Sequence, residues 1–184
     1  MRVWRDIDGD VLSLANAPEP FGSSDLSDEK KVRTWCRRFA QSRDGGLIEA
    51  YKLDSGIKLI YKRLEMPAYV YTGMLIIRVP GASLIWTVVA GERGTTGVRE
   101  AFVTATLLSE GKLRLEEYEL RWGQDPYEPA YHGVDRSVLR FMSDDESYDE
   151  QFPQHPLSKI RRTLAALPRN VAYDSLVAPA DGAG

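Results

Sequence analysis

The chain has 184 residues, of which 43% are hydrophobic, and a formal net charge of −3. A chain of this length can bury a hydrophobic core that is stable without disulfides or bound metals, so we predict one domain over residues 1–171. The negative charge argues against a nucleic-acid-binding protein, which normally carries a basic surface. The single cysteine excludes an intrachain disulfide. Because the sequence shows neither a signal-peptide core nor a run of about 20 apolar residues, we expect a soluble, cytoplasmic protein without a membrane span.

The first third of the chain predicts a hairpin, a loop and a helix. Residues 3–15 suit a β-hairpin, because Asp8-Gly9 fits a type I′ turn. Residues 16–24 are rich in proline and serine and predict a loop. The helix that follows ends at Gly45-Gly46, and its apolar stripe consists of Val32, Trp35, Cys36 and Phe39. Cys36 belongs to that stripe, so we interpret it as a core residue rather than a nucleophile.

The middle of the chain predicts four strands. Residues 47–53 and 57–64 alternate between apolar and other residues, which is typical of an antiparallel hairpin with one covered face. In this pattern Leu47 and Glu49 share a face. Residues 69–79 and 84–90 are nearly continuous apolar runs, which indicate central strands covered on both faces.

The last part of the chain combines helical patterns with a long irregular segment. Residues 97–110 predict a helix that ends at a glycine. Residues 112–122 predict an edge strand, and residues 134–142 a short helix. The final helix begins at Pro156, and residues 172–184 predict a disordered tail. These elements together predict an α+β domain, with an antiparallel sheet of about six or seven strands flanked by helices.

The turn before the 97–110 helix is the first candidate site. A helix N-terminus with exposed N–H groups attracts anions, and the turn supplies two arginines and two hydroxyls: Arg93, Thr95, Thr96 and Arg99. The spacing is neither a Walker motif nor a dinucleotide fingerprint. Simple capping of the helix would explain the same residue types.

The irregular segment from residue 123 to residue 155 is the second candidate site. It is rich in aromatic and acidic residues, which either pack over a sheet edge or recognise a partner. The candidate partner-binding residues are Trp122, Asp125, Tyr127, Tyr131, Asp149, Phe152 and His155. A metal site built from His132, His155, Asp135 and Asp149 lacks the spacing of known ligand motifs. We therefore predict no metal and no cofactor.

The sequence gives little support for catalysis. It has no serine in a G-x-S-x-G turn, and Cys36 has no histidine nearby. Its carboxylates lie outside the apolar runs, so we expect none with a raised pKa. Distant residues can still assemble a triad, so enzymatic activity stays open and catalytic residues are not assigned.

Several motifs resemble a family of uncharacterised bacterial proteins. The resemblance rests on residues 4–14, 71–75, 92–100, 125–129 and 148–158, and it spans the chain from Val3 to about Leu167. It implies no activity and no catalytic residues. The order of predicted elements is also similar to that of the Mog1/PsbP-like fold, which includes secretion chaperones and lipoprotein-like binding domains.

We expect a non-catalytic bacterial protein-binding module. It would be an immunity-type protein or a secretion chaperone or adaptor, bound to a toxin or secreted effector whose basic surface complements the acidic loop. One alternative is an enzyme or sensor that binds a small molecule through the anion site at the start of the 97–110 helix. Another is a structural subunit of a larger assembly.

Overall fold

The computed structural model describes residues 1–18, 27–118 and 122–167. Six strands form one antiparallel sheet: β1 (Arg2–Arg5), β2 (Val11–Ala17), β3 (Gly45–Leu53), β4 (Gly56–Glu65), β5 (Ala68–Val79) and β6 (Ala82–Gly91). Their order across the sheet is β1-β2-β6-β5-β4-β3. A small second sheet pairs β7 (Gly123–Gln124) with β8 (Arg140–Phe141). The predicted α+β fold with an antiparallel sheet of about six or seven strands is confirmed.

Within the described residues, three α-helices accompany the sheet: α1 (Glu29–Gln41), α2 (Val98–Ser109) and α3 (Pro156–Ala166). On one face, α1 inserts Val32, Cys36 and Ala40 against β3, β4 and β5. On the other face, α3 packs Leu157, Ile160 and Leu164 against the central strands. The prediction that the central strands are covered on both faces is therefore confirmed. Within the described residues, no helix is long and apolar enough to cross a membrane.

A glycine in β5 sets how closely α3 approaches the sheet. A Cβ atom on Gly73 would collide with side-chain atoms of Ile160 and Leu164. The absence of a side chain lets the two elements pack closely. This packing fixes the start of α3, where His155 lies.

A β-bulge in β3 changes the predicted facing of its residues. The pairing with β4 shifts between Leu47 and Glu49, so one extra residue, Ile48, is accommodated. Leu47 faces α1, whereas Ile48 packs in the cluster beneath α3. The acidic side chain of Glu49 reaches Arg161 of α3. The prediction that Leu47 and Glu49 share a face is wrong, because the bulge reverses the alternation between them.

The segment that follows α2 differs from the predicted strand and helix. Instead of a strand, it contains a 3₁₀ turn at Leu115–Glu117, and residues 119–121 lie outside the described residues. Leu113 packs into a cluster with Val103 and Leu107 of α2, which holds the chain close to the helix it has just left. The predicted 134–142 helix is replaced by the 3₁₀ turn Arg136–Val138 and strand β8. The predicted 172–184 tail lies outside the described residues.

Candidate functional site

A cleft of about 570 Å³ lies at the N-terminal end of α2. Three parts of the chain form its walls: the β1–β2 hairpin, the turn between β6 and α2, and the segment that leads into α3. Polar and charged side chains converge on it, among them Asp8, Asp10, Glu92, Arg93, His155 and Lys159. Clefts of this size with a few convergent polar groups are typical of small-molecule sites.

Glu92 joins β6 to the start of α2. Its Oε1 accepts a hydrogen bond from the N–H of Gly97, and its Oε2 accepts one from the N–H of Tyr69, both at 3.2 Å. Gly97 is the N-cap residue of α2 and has a positive φ of 73°. Glu92 binds the N–H of this residue itself, and its negative charge is favourably placed near the positive end of the α2 dipole. Burial raises the pKa of Glu92, but His155 and the two N–H donors lower it, and the net shift is downward.

His155 lies between two carboxylates. As the N-cap residue of α3, its Nδ1 accepts a hydrogen bond from the N–H of Leu157 at 3.3 Å. Its Nε2 lies 3.7 Å from Oε1 of Glu92 and 4.0 Å from Oε1 of Glu100. Both distances are too long for a hydrogen bond.

The imidazole of His155 and the carboxylates of Glu92 and Glu100 face one another without forming hydrogen bonds to one another. Nε2 of His155 and both carboxylate oxygens of Glu100 are buried and have no hydrogen-bond partner among the residues that the structure describes, which is unusual for buried polar atoms. Only 8% of the His155 side chain is exposed. Burial raises the pKa of Glu100. The expectation that no carboxylate has a raised pKa is therefore wrong, because Glu100 in the first turn of α2 is largely buried although it lies outside the apolar strands.

A fully buried ion pair lies behind the cleft. Nζ of Lys62 donates to Oδ2 of Asp144 at 2.7 Å, and neither side chain is exposed. The same oxygen accepts from the N–H of Phe141 at 2.7 Å. Burial lowers the pKa of Lys62. Burial would raise the pKa of Asp144, but Lys62 and the N–H of Phe141 bring it below its ordinary value. Tyr71 contacts both this pair and the ring of His155.

Arg99 is used inside the protein rather than as an exposed anion clamp. Its Nε donates to the carbonyl oxygen of Ser143, and its Nη2 to that of Asp145. Its Nη1 donates to Oδ1 of Asp149 at 3.0 Å and to Oγ of Ser158 at 2.8 Å. With all three nitrogens engaged and 1% of the residue exposed, Arg99 ties α2 to the segment before α3 and to α3 itself.

The other three residues of the predicted anion site are divided between the cleft and its surroundings. Arg93 and Thr95 line the cleft, whereas Thr96 is half-buried and outside its lining. The Arg93 side chain is 49% exposed, and its Nη2 lies 3.4 Å from Oδ1 of Asp10. That contact is long, so the guanidinium keeps donors for a ligand.

The structure places several predicted partner-binding residues inside the protein. Trp122 is buried and stacks on Phe141. Asp125 is 1% exposed and accepts two hydrogen bonds from Arg37, at 2.8 and 2.9 Å. The hydroxyl of Tyr127 bonds both the N–H and the carbonyl of Ala50. In this way the loop covers the outer edge of β3, which is one of the two packing arrangements considered for it.

The remaining partner-binding candidates are also engaged in internal contacts. The hydroxyl of Tyr131 donates to Oε1 of Gln41. Asp149 accepts hydrogen bonds from Arg99 and Arg161. Phe152 packs edge-on against Phe102, and Phe152 and His155 line the cleft. The structure thus assigns these two residues to the cleft.

The four residues considered for a metal site from the sequence do not come together in the structure. Of these four, only His155 belongs to a cluster of possible metal ligands, and its neighbours there are Glu92 and Glu100. His132 is exposed, Asp135 caps the 3₁₀ turn through Ser137, and Asp149 is paired with arginines. Glu92, Glu100 and His155 instead bring one ligand atom each to within 4.8 Å of the others. The only sequence signal for this cluster is that Glu92 and Glu100 flank the start of α2, and that position alone also fits helix capping.

A second acidic group occupies the β1–β2 hairpin. Asp6, Asp8 and Asp10 could also provide metal ligands. However, Nζ of Lys159 already donates to Asp8 at 2.7 Å and to Asp10 at 3.1 Å. This cation neutralises part of the group and ties the hairpin to α3.

A scan against protein-family models finds no match for this chain, and a search of curated proteins finds none either. The resemblances drawn from the sequence motifs and from the element order therefore remain predictions.

Proposed function

We propose that the protein binds a small molecule, as an enzyme or a sensor, in the cleft at the start of α2. The observation that carries this proposal is the buried His155, which turns an unpaired nitrogen toward two carboxylates at an open cleft of about 570 Å³. Unsatisfied and electrostatically perturbed groups in a cleft are characteristic of functional sites. A protein that used this surface only for packing would gain stability by satisfying these atoms.

The exposed part of the cleft favours a ligand with an anionic group. Arg93 presents a half-exposed guanidinium, and the fork of donors on such a group suits a phosphate or carboxylate. Thr95 adds a hydroxyl on the same wall. The acidic residues Asp8 and Asp10 lie next to Arg93, with Oδ1 of Asp10 3.4 Å from its Nη2, and are partly neutralised by Lys159. A ligand with an anionic group for Arg93 and a neighbouring hydroxyl or amine group for these acids fits this arrangement.

We expect Arg93→Ala to weaken binding of such a ligand about tenfold or more, because an arginine–anion contact is charge-assisted. A library of phosphorylated and carboxylated metabolites would be screened by thermal shift, and hits measured by calorimetry. Arg38→Ala is the matched control, since it removes the same charge from an exposed position on α1. The proposal fails if no compound binds, or if both variants bind every hit as wild type does.

A second proposal keeps the protein-binding function, as an immunity-type protein or secretion adaptor for a toxin or effector. The observation that favours it is the edge strand β1, where Val3 and Trp4 are 48% and 44% exposed, followed by the fully exposed Ile7. Exposed apolar side chains on a sheet edge suit pairing with another chain.

We expect wild type to capture one protein from native lysate, and the double variant Val3→Thr/Ile7→Asn to lose it. The control Met66→Gln, at another exposed apolar position, should retain it; capture of nothing by wild type contradicts this proposal.

A further inference from the structure

Within the described residues, two carboxylates beside His155 have no lysine or arginine as a partner. Lys62 is paired with Asp144, and Arg99 with Asp149. Glu92 lines the cleft and accepts from two backbone N–H groups, whereas Glu100 has no hydrogen-bond partner among the described residues on either oxygen. Their side chains are 6% and 14% exposed. Leaving such charges without a counter-ion is costly, and a dication would neutralise both.

The third group of the cluster points to a metal rather than to a simple counter-ion. Nε2 of His155 is buried without a partner in a side chain that is more than nine-tenths buried, and it faces both carboxylates. The separations of 3.7 and 4.0 Å are close to those within a coordination shell. Metal–ligand bonds of about 2.1 Å place neighbouring ligand atoms roughly 3 to 3.5 Å apart. Small side-chain rotations would therefore close the site.

We propose that Glu92, Glu100 and His155 bind a divalent transition metal such as Zn²⁺ or Mn²⁺. Imidazole favours transition metals over Ca²⁺ and Mg²⁺, and carboxylates accept Mn²⁺ as well as Zn²⁺. Three protein ligands leave at least one position free, and Glu92 and His155 both line the cleft. Open sites of this kind are catalytic rather than structural. The inference rests on the proposed function for its role, since the metal would bind the anionic group that Arg93 also contacts.

Metal binding has a consequence for the cap of α3. In the cap, Nδ1 of His155 accepts from the N–H of Leu157, so the neutral ring carries its proton on Nε2. Coordination through Nε2 requires that proton to lie on Nδ1. The cap bond is long, at 3.3 Å, and we expect it to be released when the metal binds.

The test is calorimetric titration of tag-free, chelator-treated protein with ZnCl2 and MnCl2, with CaCl2 as the comparison ion. We expect one site per chain, at least tenfold weaker in Glu100→Gln and His155→Asn, and weaker for Ca²⁺ than for Zn²⁺. Asparagine is a good N-cap residue, so His155→Asn preserves the start of α3. Glu110→Gln and His132→Asn are the matched controls, because both residues are exposed, and they should bind as wild type does.

Thermal unfolding keeps the test decisive if a variant is unstable. Without metal, we expect Glu100→Gln to melt several degrees above wild type, because it removes a buried unpaired charge. At 100 times the wild-type Kd, metal should raise the wild-type Tm by about 5 to 10 °C, and that of Glu100→Gln by about half as much or less. The inference is overturned if wild type binds no ion, or if all four variants bind equally. Metal binding without any metabolite binding would contradict only the proposed function, and metabolite binding without metal would contradict only this inference.

Discussion

Lys62 and Asp144 form an ion pair in which neither side chain is exposed. The desolvation of two charges generally offsets most of their attraction, so such a pair is a poor source of stability. Its value here is positional, because Asp144 also binds the N–H of Phe141 and contacts Tyr71, whose ring packs against His155. The pair therefore holds the segment before α3 against β4 and fixes one wall around His155.

We expect Lys62→Met to destabilise the protein by roughly 3 to 5 kcal/mol at pH 7, because it leaves the carboxylate of Asp144 buried and unpaired. Without Lys62, burial raises the folded-state pKa of Asp144 above the ordinary value of 3.8. A group with a raised folded pKa favours folding at low pH, and that contribution is lost as pH rises through the folded pKa. The destabilisation caused by Lys62→Met should therefore become smaller as pH falls toward 4.

Urea unfolding at pH 7 and pH 4.5 measures this difference, with Lys52→Met, an exposed position on β3, as the control. An equal loss for Lys62→Met at both pH values would show that the penalty does not come from the charge of Asp144.

At the scale of elements, the position of α3 decides whether the cleft exists. The helix carries His155 at its N-cap and packs Ile160 and Leu164 over Gly73. Arg161 then binds Glu49, which the bulge in β3 turns toward α3. The bulge in β3 and Gly73 in β5 together thus determine the position of α3.

We expect Gly73→Ala to destabilise the protein by about 1 to 3 kcal/mol, because the new methyl group overpacks the contact with α3. The same substitution at Gly91 meets Val70 at 3.6 Å and the carbonyl oxygen of Tyr69 at 3.9 Å, both ordinary contact distances, and should be neutral or slightly stabilising. Denaturant unfolding of both variants measures the contrast. Equal stabilities would mean that α3 does not depend on close approach at Gly73.

The elements themselves follow from sequence patterns where those patterns are local. The Asp-Gly turn predicted the β1–β2 hairpin, the period-2 and continuous apolar runs predicted β3 to β6, and the glycine and proline signals placed α2 and α3. The bulge at Leu47–Glu49 was missed because alternation assumes that no residue is inserted. The strand predicted over residues 112–122 was wrong because Leu113 packs back onto α2, a contact that no local pattern encodes.

At the scale of the whole molecule, the site depends on residues far apart in the sequence. His155 lies more than 50 residues beyond Glu92 and Glu100, and the fold brings the start of α3 to within 4.0 Å of both carboxylates. The sequence singled out Arg93, Arg99 and His155. It could not show that all three guanidinium nitrogens of Arg99 form hydrogen bonds within the protein, whereas the side chain of Arg93 is 49% exposed. Burial makes that distinction, and burial is a property of the fold.

The most direct test of the cleft as the functional site is ¹⁵N NMR of the two histidine side chains during titration with ZnCl2 and then inorganic phosphate. The chain has two histidines, so the exposed His132 serves as an internal control for His155. We predict that the His155 proton lies on Nε2 before titration and on Nδ1 after one equivalent of Zn²⁺, that phosphate then shifts His155 further, and that His132 does not change. If His155 keeps its signals while His132 shifts, or if neither changes, His155 binds neither Zn²⁺ nor phosphate, and the proposed metal site at the cleft is contradicted.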